Sequence, residues 1–239
     1  QVISLRVTDN EGVSTTTTTT AAVYVPPTAA GRAQYGWLGK TGDVPSNWDW
    51  DNLVDAGSAD PDHTANPAAG ITTWSWDLNN DGTIDKSGPS SVRVTYADFV
   101  ALGITANENH TVTLTVTDNE GQTATQSGIA MPVLVNPTAN AGGPYSVWEG
   151  GSVSLSGSGT DPDGGSITAY DWDVKGDETY PVTGAAPTVS YDYLVSTLGV
   201  QPSESGRSIT LRVTDNDEAI TGWWAGTGTA NAILKVYAN

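Results

Sequence analysis

The chain contains no cysteine, so neither a disulfide nor a thiolate contributes to its stability or chemistry. It is poor in positive charge: 9 Lys and Arg stand against 27 Asp and Glu, for a formal charge of -18. Such a surface repels nucleic-acid phosphates and anionic lipid, and it attracts cations. No apolar run is long enough to cross a membrane as a helix. Only two histidines are present, His63 and His110, far apart in the sequence and both expected in solvent. No GxSxG elbow, HExxH pair or glycine-rich phosphate loop occurs. Acid pairs are plentiful, but turn chemistry accounts for them, and we expect no catalytic activity.

What the sequence does contain is β-structure. Thr, Ser, Gly and Val are abundant, with nine Trp. Three stretches repeat: VISLRVTDNEG (2–12), TVTLTVTDNEG (111–121) and SITLRVTDNDE (208–218). Each alternates apolar and polar residues and ends in an Asp-Asn turn, the pattern of a half-buried antiparallel strand. Other segments keep the same beat. SADPD (58–62) matches GTDPDGG (159–165), ITTWSWDLNNDG (71–82) matches ITAYDWDVKGDE (167–178), and VTYADFVALGI (94–104) matches VSYDYLVSTLGV (189–200). The last pair predicts one helical turn in each repeat. Two full repeats follow, 26–136 and 137–239. Residues 1–25 read as the closing strand hairpin of a preceding repeat. Short strands bounded by Gly, Pro, Asn and Asp pack as two antiparallel sheets, so the fold class is all-β, with tandem sandwiches. Trp76 and Trp172, mid-strand, are the expected core anchors.

This order of signals resembles the PKD (polycystic kidney disease) domain, an immunoglobulin-like β-sandwich. Its carriers are AGGPYSVWEGGSVSLSGS (141–158), the DPDGG turn, the YDWD strand and the closing TLRVTDN strand. The resemblance covers nearly the whole chain and implies tandem immunoglobulin-like domains of PKD type. The first full repeat departs from the pattern between Trp37 and Val54, where extra residues include TGDVPSNWDWDN (41–52).

Two sets of residues are candidate calcium ligands. In DLNNDGTID (77–85), Asp77, Asn79, Asp81 and Asp85 alternate, Gly82 permits a sharp turn, and Thr83 would add a carbonyl. Read as an EF-hand, the loop fails at its twelfth position, where Gly88 stands, so it is closer to the short loops of extracellular calcium modules. The alternative is an Asx-rich turn whose side chains bond their own backbone. The matching loop of the second repeat places Lys175 where a ligand belongs, and no site is expected there. The second set is assembled by the fold. The B–C and F–G loops of an immunoglobulin-like sandwich share one end, which would bring Asp60 and Asp62 to Asp118, and Asp161 and Asp163 to Asp215. The resemblance supports this, because PKD-like domains of secreted collagenases hold calcium near their domain junctions. Clustered carboxylates repel unless a cation or donors neutralise them.

Trp48, Trp50, Trp223 and Trp224 lie outside the matched strands and are candidate contacts with a partner. The partners expected are other protein subunits or neighbouring domains of one large protein, with a polysaccharide as a further candidate. Gln1 opens directly into strand-like sequence, so a longer polypeptide is expected. The whole reads as a secreted or cell-surface, non-catalytic structural or adhesive segment, stiffened by calcium. The alternative is an accessory or carbohydrate-binding region of a secreted hydrolase. A two-stranded hairpin alone is marginal in water, so residues 1–25 should pack on something, either a missing domain or a neighbouring subunit.

Overall fold

The computed structural model describes residues 1–44, 48–63, 70–222 and 224–239. Strands β1 (Val2–Thr8) and β2 (Ser14–Thr20) form a hairpin in continuous antiparallel register, from Val2 opposite Thr20 to Thr8 opposite Ser14. Its residues are exposed, apart from half-buried Ser14. Beyond it Val25 N–H donates to Asp62 Oδ2 at 2.7 Å.

The first sandwich contains β3 (Gly31–Ala33), β4 (Leu38–Gly39), β5 (Trp50–Asp55), β6 (Ile71–Asp77), β7 (Lys86–Gly88), β8 (Ser91–Thr95), α1 (Tyr96–Ala101), β9 (Thr111–Asp118), β10 (Thr123–Ala130) and β11 (Val133–Leu134). One sheet has the order β10-β9-β6-β7, the other β3-β5-β8, and β4 pairs in parallel with β11. The second sandwich contains β12 (Thr138–Asn140), β13 (Tyr145–Trp148), β14 (Ser152–Ser154), β15 (Ser158–Thr160), β16 (Ala169–Asp173), β17 (Val182–Thr183), β18 (Thr188–Ser190), a π-helical turn at Tyr193–Thr197, β19 (Ser203–Thr214), α2 (Asp217–Thr221) and β20 (Thr227–Tyr237). Its main sheet runs β13-β20-β19-β16-β17, faced by the β14-β18 and β12-β15 ribbons.

The period of two explains the cores. On β9, Val112, Leu114 and Val116 are fully buried while the residues between them are only partly covered. Ile209, Leu211 and Val213 repeat this on β19. Trp76 sits opposite Leu114 and Trp172 opposite Leu211, and each indole is the largest side chain of its core. The helical turns fall where the sequence places them. Thr95 and Asp98 close a capping box on α1, which buries Phe99.

His110 corrects one expectation, since it is buried rather than solvated. Its position at the start of β9 faces inward, where the ring lies edge-on to Phe99 at 5.4 Å. Nε2 donates to the Leu78 carbonyl at 2.7 Å, and burial holds its pKa below the usual histidine value.

Candidate metal centre

The described residues between β4 and β5, where the sequence departs from its own repeat, lie against the joint between the two sandwiches. Fully buried Asp51, on β5, ties that strand to the turn ahead of β4 by accepting from the backbone N–H groups of Tyr35 and Gly36, and it also accepts from Asn52 N–H. Lys40 N–H donates to the Leu134 carbonyl at 2.9 Å, and Asp43 Oδ2 accepts from Asn136 N–H at 3.1 Å. Trp37 stacks on Trp224 of the second sandwich, with ring centroids 5.8 Å apart and planes 5° from parallel. Trp48 meets Trp37 edge-on. Leu134 and Val44 complete this apolar knot, with Ile220 of α2 against it. Two of the expected partner-contact residues, Trp48 and Trp224, are thus spent on packing within the chain. Trp50 lies under the Arg93 guanidinium, 4.3 Å from its centroid, with Tyr35 against it edge-on. Trp223 lies outside the described residues.

Beside the knot is a pocket of carboxylates. The loop between β15 and β16 brings Asp161 and Asp163, and the loop from β19 into α2 brings Asp215 and Asp217. Ligand oxygens of Asp161, Asp163 and Asp217 all lie within 4.8 Å of one another. Asp163, Asp215 and Asp217 are 4%, 1% and 0% exposed. Some oxygens have backbone donors. Asp163 Oδ2 accepts from Val135 N–H, and Asp215 Oδ1 accepts from the N–H groups of Asp217 and Gly226. The rest do not: Asp161 Oδ2, Asp163 Oδ1, Asp215 Oδ2 and both oxygens of Asp217 are buried without a hydrogen-bond donor among the described residues. The first sandwich contributes Glu108. Its N–H donates to the Asp163 carbonyl at 2.9 Å, and its Oε2 accepts from Asn216 Nδ2 at 3.1 Å.

Electrostatics follow from this crowding. Burial first, then the charges of Asp163, Asp215, Asp161 and Glu108, push the Asp217 pKa up to about 8. Burial and the adjoining Asp161 raise Asp163 to about 7. Asp215 is raised by the same causes. A buried oxygen without a donor is costly, and a cluster of them asks for a cation or for protons. The glycines fit a ligand cradle: a Cβ on Gly226 would lie 2.1 Å from Asp215 Oδ2, and one on Gly165 would lie 2.5 Å from Asp161 Oδ2. All donors are hard oxygens, the set that suits calcium.

The first sandwich has a smaller counterpart. Asp60 and Asp118 are buried, each with Oδ2 lacking a donor among the described residues, and exposed Glu120 joins them within 4.8 Å. Burial and neighbouring Asp62 raise the Asp60 pKa. The Asp62 carboxylate itself turns to Val25 N–H.

Sequence reasoning named Asp60, Asp62, Asp118, Asp161, Asp163 and Asp215 but missed Glu120, Asp217 and Glu108. The signal for the first two was present, an acid two residues after Asp118 and after Asp215 in the TDNE and TDND turns. Glu108 has no such signal, because only the joint between sandwiches brings it in. The 77–85 loop lies outside both clusters. Asp77 accepts from the N–H groups of Asp81 and Gly82, Asn79 Oδ1 from Asp81, Asp81 Oδ1 from Thr83, and Asp85 from Leu78. Asp173 caps the second-repeat loop in the same way, accepting from Lys175, Gly176 and Glu178 N–H groups, and Lys175 pairs with Asp177 at 2.6 Å.

No protein-family model matches the chain, and no curated protein does. Among solved structures, it is similar to the fibronectin(III)-like modules of Clostridium thermocellum CbhA, at 12% identity and a TM-score of 0.34, covering 88% of this chain and 91% of that one. It is also similar to extracellular domains 3–5 of Drosophila OTK, at 13% identity and a TM-score of 0.40, covering 98% and 70%. Both likenesses are loose. The chain is an all-β array of immunoglobulin-like sandwiches, as its own sheets establish. Among the described residues no helix is long and apolar enough to cross a membrane.

Proposed function

We propose that this chain is a non-catalytic, extracellular spacer of PKD type, in which calcium at the joint between sandwiches fixes their relative placement. Its partners on this reading are neighbouring domains or subunits of a larger cell-surface protein. The observation that carries it is the set of buried, donorless oxygens on Asp161, Asp163, Asp215 and Asp217, against which the first sandwich lays Glu108 and the Val135 amide. A bound ion would neutralise the cluster and tie the loops of one domain to the linker from the other. α2 carries Asp217 at its first turn and Ile220 in the aromatic knot, so a ligand held by Asp217 also holds the Trp37–Trp224 stack in place. Sites in extracellular modules have Kd on the order of 10⁻⁴ to 10⁻³ M, which suits a stiffener in a calcium-rich medium and not a signalling switch.

The test is thermal unfolding of the chain in millimolar calcium and in EDTA. At ten- to a hundredfold excess over Kd, calcium should add about 1.4 to 2.7 kcal/mol, or about 5 to 15 °C for a sandwich of this size. Asp163→Asn with Asp217→Asn should abolish that difference while raising the melting temperature in EDTA, because the repulsion is gone. Equal melting of the unaltered chain in the two media would end the reading.

A further inference from the structure

The β1–β2 hairpin is bare on the wrong face. Ile3, Leu5 and Val7 are 53%, 60% and 57% exposed, whereas the residues aligned with them, Val112, Leu114 and Val116 on β9 and Ile209, Leu211 and Val213 on β19, are all 0% exposed. The match runs from one end of the hairpin to the other. Asp9 Oδ1 accepts from Glu11 and Val13 N–H at 3.0 and 2.8 Å, just as Asp118 Oδ1 accepts from Glu120 and Gln122 at 3.0 and 2.7 Å. At the exit, Val25 N–H donates to Asp62 where Val135 N–H donates to Asp163. Counting back from that shared bond sets Val23 against Val133. Val23 is 58% exposed and Val133 0%. The hairpin therefore has the turn and exit of a closing F–G hairpin, and the register of β9–β10 from Val7–Thr15 to Leu5–Thr17, beyond which β10 bulges and β2 does not; among the described residues it has no strands to close on.

The two complete sandwiches say what those strands are. β9 and β19 each pair with a strand carrying the core tryptophan, Trp76 or Trp172, directly opposite the leucine that corresponds to Leu5. A second copy of residues 1–239 offers no vacancy, because its β6 and β16 are already paired with β9 and β19. We propose that the Ile3–Leu5–Val7 face takes, as its partner, the strands that precede the closing hairpin in a sandwich of the same type. That partner brings a core tryptophan opposite Leu5 and an Asp-Pro-Asp loop against Asp9 and Glu11.

The experiment joins residues 137–207, which run through the start of β19 and end just before Ser208, ahead of Val2. In the hybrid, Ile3, Leu5 and Val7 stand in for Ile209, Leu211 and Val213, residue type for residue type. A control carries the same segment with its own residues 208–239. Backbone amide exchange of β1 and β2 is then compared with the unextended chain. Amides of a free ribbon open locally, while those of a core strand open with the domain, so exchange in the hybrid should slow by about 100-fold or more. Leu5→Asp should remove that protection in the hybrid and leave the melting of the two existing sandwiches unchanged. Hairpin amides that exchange as fast in the hybrid as in the unextended chain, with the control protected, would overturn the proposal. So would a dimer of the unextended chain that protects the hairpin and is lost with Leu5→Asp, since the occupant would then be a second copy.

Discussion

The carboxylate cluster at the joint and its counterpart on the first sandwich use the same two loops, yet differ in their cover. At the joint, the loop after β19 lengthens into α2, and Asp217 ends fully buried on the helix whose Ile220 packs against the tryptophan knot. On the first sandwich the matching loop is a tight turn, Asp118 to Gly121, and Glu120 in the place of Asp217 is exposed. The same Asp-x-acid spacing thus gives a solvated group or a strongly perturbed one, according to whether a neighbouring domain closes over it. Burial raises the cost of leaving the charges unmatched, and so raises what a cation can gain by matching them.

The hardest blow to this difference is Trp37→Ala. Trp37 is 6% exposed between Trp48 and Trp224, and its loss should cost about 3 to 5 kcal/mol while leaving the Asp60 cluster intact. Small-angle scattering should show the two sandwiches moving apart, and a scattering curve unchanged from the parent would contradict the role of the knot.

A change of pH separates the clusters more gently. Asp163 and Asp217, at about 7 and 8 when folded, stand above their ordinary 3.8. They bind more protons folded than unfolded, so their favourable contribution is complete below about pH 4 and is lost as pH rises through 7 to 8. In EDTA the second sandwich should melt at least about 5 °C higher at pH 5 than at pH 8.5. The first, where Asp51 and Asp60 are raised but buried His110, held below its usual value, works in the opposite sense, should change less. Saturating calcium should erase the difference, since the ion replaces the protons. Calorimetry at the two pH values, with and without EDTA, decides it.

The smallest expected effect belongs to the 77–85 loop. Asp77→Asn keeps the shape but weakens two bonds to backbone N–H groups, at about 1 kcal/mol. The loss should be equal in calcium and in EDTA, in contrast with both clusters, and a loss confined to calcium would restore the loop as a metal site.

The fold class was legible because period-two alternation in 2–12, 111–121 and 208–218 leaves little choice of secondary structure, and tryptophans at matched positions mark the cores. The candidate centre was legible in part. Asp60 with Asp118, and Asp161 with Asp163, follow from which loops share an end of a sandwich. Asp217 was legible as a motif but not as a buried group, because its burial depends on α2 docking against the other domain. Trp48 and Trp224 look like free aromatics along the chain for the same reason: nothing local says that an inserted segment will fold back to meet them. The calcium-like spacing at Asp77 reads equally well as a ligand set or as a self-bonding turn, and only the positions of the amides distinguish the two.

The parallel pairings bear on how the molecule carries tension. β13 lies near the entrance of the second sandwich and β20 at its exit, and they pair in parallel over four residues, Tyr145 with Leu234 through Trp148 with Tyr237. Pulling the ends of that domain apart drags the two strands past each other, so their hydrogen bonds must fail together in shear and cannot be unzipped one by one. In the first sandwich the corresponding pair, β4 with β11, spans only two residues. Under a steady pull, the first sandwich should yield before the second.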